Sequence, residues 1–310
     1  MTFFHHYRLY GLTVRSNQPL LYLHPLPPSP SVDSPDVEIT INREVIAPPH
    51  LGDESQLLFD QPFPNQTVIR GWRTPSGILI VYTSNGEPTS ILIDSSGNMR
   101  VSLAPSLPLE NFSPIIYGTA FSAFLYFKGL TCLHASAVAL ADQAVLCVGA
   151  SGIGKSTLAA SLAERGLQFV TDDVGVLSET ADALAVQPGC AAGRLRPPSS
   201  TLEAHLKEWL PLSTPETAVP IRLIYLLGAT SGQPQIVPIS KRDAFVMLAR
   251  NHYAPALQPA ASKPRSLDRL RRLIDQVPIR LLLRSRQLDD LPATVTLVER
   301  DLRATLLARS

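Results

Sequence analysis

Residues 144–173, AVLCVGASGIGKSTLAASLAERGLQFVTDD, decide how the larger part of this chain folds. The apolar run "AVLCV" has the length of a strand and leads directly into Gly149, Ala150, Ser151, Gly152, Ile153, Gly154, Lys155, Ser156 and Thr157. Within that stretch Gly149, Gly154, Lys155 and Ser156 fit the phosphate-loop pattern GxxxxGK[ST]. "KSTLAASLAERG" then reads as an Ala- and Leu-rich helix ended by Gly166, and "LQFV" as a second strand. Each residue type has its reason. Glycines let the backbone turn its N–H groups toward phosphate oxygens at the positive end of a helix. Lys155 would reach the β- and γ-phosphates, and the Ser156 hydroxyl would ligate Mg²⁺. The stretch predicts nucleotide binding, which alone does not select among kinase, transporter ATPase, GTPase and switch.

Asp172 and Asp173 close the strand that follows the phosphate-loop helix. Ligands of open α/β sheets sit at the carboxyl ends of strands, so the pair is expected near the γ-phosphate. One carboxylate would hold Mg²⁺ while the other accepts a proton from an attacking hydroxyl, a division that suits phosphoryl transfer to an alcohol. Taken alone, two aspartates also begin ordinary turns. His134, in "LHASAVAL", opens the strand before the loop; flanked by apolar residues, it reads by itself as a hydrogen-bonded core histidine.

From about residue 131 onward strands alternate with helices, which predicts an α/β unit with a mainly parallel sheet and helices on its faces. "IRLIYLL" and "VPIRLLL" supply further strands. Ser240, followed by Asp243, and Ser266 are expected to cap two later helices. The first third reads differently. "DVEITIN" alternates with the period of a half-buried strand, and "TPSG", "SNGEP" and "DSSGN" punctuate "TVIRGW", "ILIVYT" and "SILI" at the spacing of an antiparallel meander. "LHPLPPSPSVDSP" reads as a loop, and Ile115 to Leu130 as a buried helix, too short for a membrane span and carrying Lys128. The expected division is a β-rich domain over 1–112, the natural place for substrate docking, and a phosphate-loop catalytic domain over 113–310.

Bulk properties narrow the partners. The chain has 310 residues, enough for two domains. A net charge of +1 gives no electrostatic case for nucleic acid or an anionic membrane surface. The opening "MTFFHHYRLYGLTV" lacks the basic flank and long apolar run of a secretory signal. Cys132, Cys147 and Cys190 lack CxxC spacing, so reduced thiols and a cytoplasmic location are expected.

Residues 133–177, LHASAVALADQAVLCVGASGIGKSTLAASLAERGLQFVTDDVGVL, resemble the catalytic core of the bacterial HPr kinase/phosphorylase family, whose fold is a phosphate-loop core of the HPr kinase and PEP carboxykinase kind. That family has a histidine before a strand, the phosphate loop, an "ERG"-like helix end and an aspartate pair. The intervals here, 21 positions from His134 to Lys155 and 17 and 18 from Lys155 to Asp172 and Asp173, match its pattern without a gap. The resemblance implies ATP and Mg²⁺ as cofactors, a nucleotide loop at Gly149 to Ser156, a magnesium hydroxyl at Ser156, and an active-site histidine and lysine at His134 and Lys155. It makes Asp173 the proton acceptor that activates a serine, and Asp172 the metal-side or supporting carboxylate. The family's next loop carries a magnesium-binding glutamate. The corresponding stretch here, "GCAAGRLRPPSS", has no acidic residue, which removes the basis for expecting the reverse, phosphorylase, reaction. Arg194 and Arg196 stand there instead, as nucleotide or substrate contacts or as ordinary surface arginines.

The whole layout, with "YRLYGLTVRSNQPL" at the start, a β-rich first part and the "LHASAV" entry, is similar to the HPr kinase-related proteins of peptide-tailoring gene clusters. Among these, the lasso-peptide kinases phosphorylate the carboxyl-terminal serine of a precursor. The expected partners are ATP and a peptide or small protein with an acceptor serine. A kinase of free serine or another small hydroxyl compound, and a nucleotide-binding regulator without turnover, are the alternatives. Arg250, His252 and Tyr253 are conceivable active-site contributors, with an ordinary basic helix end the favoured reading, and the basic region 263–272 reads as substrate contacts or a solvated helix face.

Overall fold

Alternating apolar residues give the first part of the chain its strands. In Val37–Asn42, Val37, Ile39 and Ile41 are buried while Glu38 and Thr40 are not, the pattern of a sheet with one covered face. The computed structural model describes residues 4–26, 34–43, 52–63, 66–180, 183–190, 192–195, 208–211 and 213–307. It divides into two units: Met1–Gly129 with Ala254–Lys263, and Leu130–Tyr253 with Pro264–Ser310.

The first unit holds β1 (His5–Leu9), β2 (Leu12–Ser16), β3 (His24–Pro25), β4 (Val37–Asn42), β5 (Gln56–Phe63), β6 (Thr67–Thr74), β7 (Gly77–Ser84), β8 (Glu87–Ile93) and β9 (Asn98–Ser102). They form one nine-stranded sheet in the order β3-β1-β2-β4-β9-β8-β7-β6-β5. From β5 to β9 it is the expected antiparallel meander. Asn85 and Gly86, both at positive φ, close the β7–β8 hairpin as a primed turn. The predicted proline-rich loop lies partly outside the described residues, which resume at Ser34.

After β9 come α1 (Leu109–Pro114), a π-helical turn (Ile115–Ala120) and α2 (Phe121–Phe127). Phe112 meets Tyr82 edge-on with ring centroids 5.7 Å apart, and Phe121 meets Tyr10 at 6.1 Å. Those contacts assign the buried helix to the first unit, so the division falls at 129/130 where composition placed it at 112/113. Among the described residues no helix is long and apolar enough to cross a membrane.

The second unit contains β10 (Thr131–Leu140), β11 (Gln143–Val148), α3 (Lys155–Glu164), β12 (Gln168–Thr171), β13 (Val174–Glu179), β14 (Leu184–Val186), β15 (Ala192–Leu195), β16 (Glu208–Pro211), β17 (Val219–Ala229), β18 (Gln235–Pro238), α4 (Lys241–Arg250), α5 (Lys263–Gln276), β19 (Ile279–Arg284) and α6 (Leu291–Leu307). Helices cover both sheet faces. Leu146, Val148, Ile224 and Leu226 pack toward Leu248 of α4 and Leu270 and Leu273 of α5. The alternate residues Val145, Cys147, Leu223 and Tyr225 pack toward Leu158 and Leu162 of α3 and Val298 and Leu302 of α6.

The sheet is mixed, not mainly parallel. Among the described pairings of this unit only β11 with β17 and β17 with β19 run parallel; β10 pairs antiparallel with β11, β12 and β13. The cause is local. Ala141 and Asp142, at φ 46° and 59°, form a two-residue primed turn between β10 and β11, and such a turn forces a hairpin. The parallel strands β11, β17 and β19 nevertheless end on the same edge, and the phosphate loop leaves the sheet there.

Of the two expected caps, Ser240 behaves as such, accepting from the Asp243 backbone N–H at 3.1 Å. Ser266 does not cap. α5 begins three residues earlier with Pro264 in its first turn, where the missing N–H costs nothing, and Ser266 lies buried inside the helix. Arg194 lies on β15, opposite Trp209 of β16; Arg196 falls outside the described residues.

Candidate active site

The strand β11 delivers the chain at Val148 into the loop, and α3 begins at Lys155. Gly152 and Gly154 adopt φ of 77° and 95°, which L residues rarely take. Gly154 has a second reason to lack a side chain: a Cβ there would lie 2.4 Å from Arg284 Nη1. Lys155 is 4% exposed, and its Nζ donates to the carbonyls of Gly149 (2.9 Å) and Ala150 (3.1 Å), drawing the loop around the ammonium.

The aspartates stand in the turn between β12 and β13. Asp172 accepts from the Ser136 hydroxyl at 2.6 Å. Asp173 sits at φ 70°, a left-handed conformation that aspartate tolerates better than most residues. Its Oδ1 lies 3.2 Å from His134 Nδ1, and its Oδ2 accepts from the Tyr253 hydroxyl at 2.9 Å. His134 Nδ1 also lies 3.1 Å from the Asp173 carbonyl. Desolvation raises the Asp173 pKa, but the His134 hydrogen bond and charge, the Tyr253 hydroxyl and the Lys155 charge outweigh it. The carboxyl is held below the usual aspartate value, and its side chain stays 54% exposed. The group is ionised at neutral pH and reachable from solvent.

Tyr253 reaches Asp173 because residues 251–253 run beside the start of β10. The N–H of His134 donates to the Asn251 carbonyl at 2.7 Å, and that of Tyr253 to the Cys132 carbonyl at 2.9 Å. A buried chain of donors fixes this run. Arg269 Nη1 donates to the Thr131 hydroxyl (2.9 Å), which lies 3.0 Å from the Ser266 hydroxyl, which in turn lies 2.8 Å from His252 Nε2. His252 Nδ1 lies 2.9 Å from the Ala249 carbonyl, which only accepts, so Nδ1 carries the proton and Nε2 receives the Ser266 hydroxyl.

Burial lowers the pKa of His252, against a smaller opposing contribution from that carbonyl. Below its ordinary value of about 6.5 the unfolded chain takes up a proton that the folded one resists, so this residue's stability contribution is complete above that pH and falls as pH drops. Urea unfolding at about pH 7.5 and about pH 5.5 should show a smaller loss of midpoint in His252→Asn than in the unsubstituted chain; equal losses in both would remove His252 from the explanation.

These parts enclose a cleft of about 200 Å³, lined by residues 151–157, His134, Asp173, Arg284, Arg286 and Leu288. All the expected loop residues except Gly149 and Ala150 line it; those two hold Lys155 from behind. Asp172 does not line it and stands one residue away. Among the described residues no group of three or more His, Cys, Asp or Glu side chains is placed to hold a metal. The oxygen donors present, the Ser156 hydroxyl in the cleft and the Asp172 carboxylate beside it, are of the kind that would hold a magnesium ion shared with nucleotide phosphates and water. Arg284 and Arg286 went unread in the sequence, although they follow directly on the predicted strand "VPIRLLL" at the edge where such sheets bind ligands. Tyr253, conceived in the sequence as an active-site contributor but read first as a helix end, bonds Asp173.

No protein-family model matches the chain, and no curated protein matches it. Matches to solved structures number 44 chains. One is the Hpr(Ser) kinase/phosphatase from Coxiella burnetii, with 15% sequence identity, coverage of 57% of this chain and 93% of that chain, and a TM-score of 0.31. So low a score defines neither the fold nor the reaction of this chain.

Proposed function

We propose that this chain is an ATP- and Mg²⁺-dependent kinase that transfers the γ-phosphoryl group to a serine hydroxyl of a peptide or small protein, the carboxyl-terminal serine of a lasso-peptide precursor being one candidate acceptor. The observation that carries this reading is the placement of Asp173. An ionised, exposed carboxylate is held by His134 and Tyr253 in the same cleft as Lys155 and Ser156. A site that only binds nucleotide needs no base there.

The steps follow from the residues. Loop N–H groups and Lys155 bind the β- and γ-phosphates, and Ser156 with Asp172 would hold the magnesium ion, which when bound neutralises phosphate charge. Asp173 accepts the proton of the acceptor hydroxyl as the serine oxygen bonds to the γ-phosphorus and the bond to the β–γ bridging oxygen of ADP breaks. His134, with Nδ1 3.2 Å from Asp173 Oδ1, keeps the carboxylate aimed at the acceptor. Positioning and charge stabilisation then provide most of the rate.

Transfer of label from [γ-³²P]ATP to serine peptides, an HPr-type protein or free serine tests the reading. Label on a peptide or protein is the expected result, label on free serine alone would make this a small-molecule kinase, and tight ATP binding without any labelled acceptor would leave a nucleotide-binding regulator. Tyr253→Phe adds a finer test. It removes one of the hydrogen bonds that lower the Asp173 pKa, so the acid limb of kcat/KM, where the base becomes protonated, should move toward neutral pH. An unshifted limb would mean that Asp173 is not the group that titrates.

A further inference from the structure

Three cations line the cleft: Lys155, Arg284 and Arg286. Lys155 is committed to the Gly149 and Ala150 carbonyls. Arg284 is committed as well. It is 2% exposed, and its guanidinium donates to the Gly154 carbonyl at 3.1 Å and to the Ser285 carbonyl at 3.0 Å. Arg286 differs from both. It is exposed, and among the described residues it has no hydrogen-bond or ion-pair partner.

Its direction is set by what precedes it. β19 pairs in parallel with β17 as far as Ala229 opposite Arg284, and the Thr230 N–H donates to the Arg284 carbonyl at 3.0 Å. The strand end is thus fixed beside the phosphate loop. Ser285 turns inward, 7% exposed, and its hydroxyl accepts from the Gln287 N–H at 3.1 Å. Arg284 ends the strand and Arg286 follows two residues later, and both line the cleft. A magnesium-bound nucleoside triphosphate remains anionic, and Asp173 adds a negative charge opposite it. Burying a phosphate there without another cation would be costly. A guanidinium matches phosphate oxygens two at a time, which an ammonium does not.

We propose that Arg286 contacts the γ-phosphoryl group beside Lys155 and the loop N–H groups, and that Arg284 is a positioning residue that fixes the loop at Gly154. The proposal rests on the reading of the loop as a nucleotide site, and it adds which residue distinguishes a triphosphate from a diphosphate. When the γ-group transfers, Arg286 neutralises charge that develops on its equatorial oxygens, a role an arginine in cis fills elsewhere.

The test is equilibrium binding of ADP and of its β,γ-imido triphosphate analogue, with magnesium, to the full chain and to Arg286→Ala and Arg286→Lys. Loss of one charged, hydrogen-bonded contact should weaken the triphosphate analogue about tenfold or more in Arg286→Ala while ADP stays within about twofold, with only partial recovery in Arg286→Lys. Equal weakening of both ligands, or none, overturns the assignment; weakened binding of an acceptor peptide with unchanged nucleotide binding moves Arg286 to acceptor recognition and overturns it too. The binding measurement needs no turnover. If the unsubstituted chain discriminates the analogue through Arg286 yet labels no acceptor, this assignment stands and the kinase reading falls; if it binds neither nucleotide, both fall.

Discussion

Asp173→Asn should lower phosphoryl transfer by about 10³-fold while nucleotide affinity stays within about threefold, the outcome expected if Asp173 is the general base of a site whose binding groups remain. The substitution isolates the chemistry. Asparagine tolerates the left-handed φ of 70° at this position, so the turn between β12 and β13 keeps its shape. The side chain is 54% exposed, and an amide that pairs poorly with His134 or Tyr253 has room to rotate into water. What disappears is the capacity to accept a proton. Initial rates with labelled ATP, together with calorimetric nucleotide binding, measure the two effects separately. A rate within about threefold of the unsubstituted chain would place the base elsewhere, and Asp172, one residue away and bonded to Ser136, would be examined next.

Gly154→Ala should cost more nucleotide affinity than Gly152→Ala, and the difference isolates one contact. Both glycines sit at positive φ, 95° and 77°, where an L residue costs about 1–2 kcal/mol. A Cβ at Gly152 meets nothing within 4 Å. A Cβ at Gly154 meets the Arg284 guanidinium, with Nη1 at 2.4 Å and Cζ at 3.0 Å. That guanidinium is buried and hydrogen-bonded to the carbonyl of the substituted residue itself, so it moves only by surrendering the bond. The expected outcome is a fall of about tenfold or more in affinity for Gly154→Ala, and a smaller one for Gly152→Ala, where strain acts alone. Similar losses at both positions would show that Arg284 yields freely and does not fix the loop.

What the sequence disclosed about this site was local. The phosphate loop and the aspartate pair lie within one strand, one helix and the next strand, and their chemistry depends on spacing along the chain. Tyr253 was not legible in the same way. It stands 80 residues from Asp173 and reaches it through a short antiparallel run beside β10, which no spacing announces. Arg284 lies 130 residues from Gly154 and arrives through the parallel pairing of β17 with β19. The sheet's mixed character was hidden by Ala141 and Asp142, which form a primed turn without the Asn-Gly or Asp-Gly pair that usually marks one. Ser266 resembled a helix cap because serine favours that position. Its burial beside Thr131 and His252 is a property of packing, outside the reach of a local pattern.

The backbone crosses between the two units three times, after Gly129, after Tyr253 and after Lys263. The middle excursion contains Leu257, fully buried and assigned to the first unit, in a turn that approaches β5 and α2 of that unit. The two halves are therefore interleaved like a seam with a return stitch. A single cut at residue 129 would leave the phosphate-loop half carrying a ten-residue remnant of its neighbour's interior, starting one peptide bond after the tyrosine that holds Asp173. To separate the halves cleanly, one would have to splice the chain, joining residue 253 to residue 264 through a new turn.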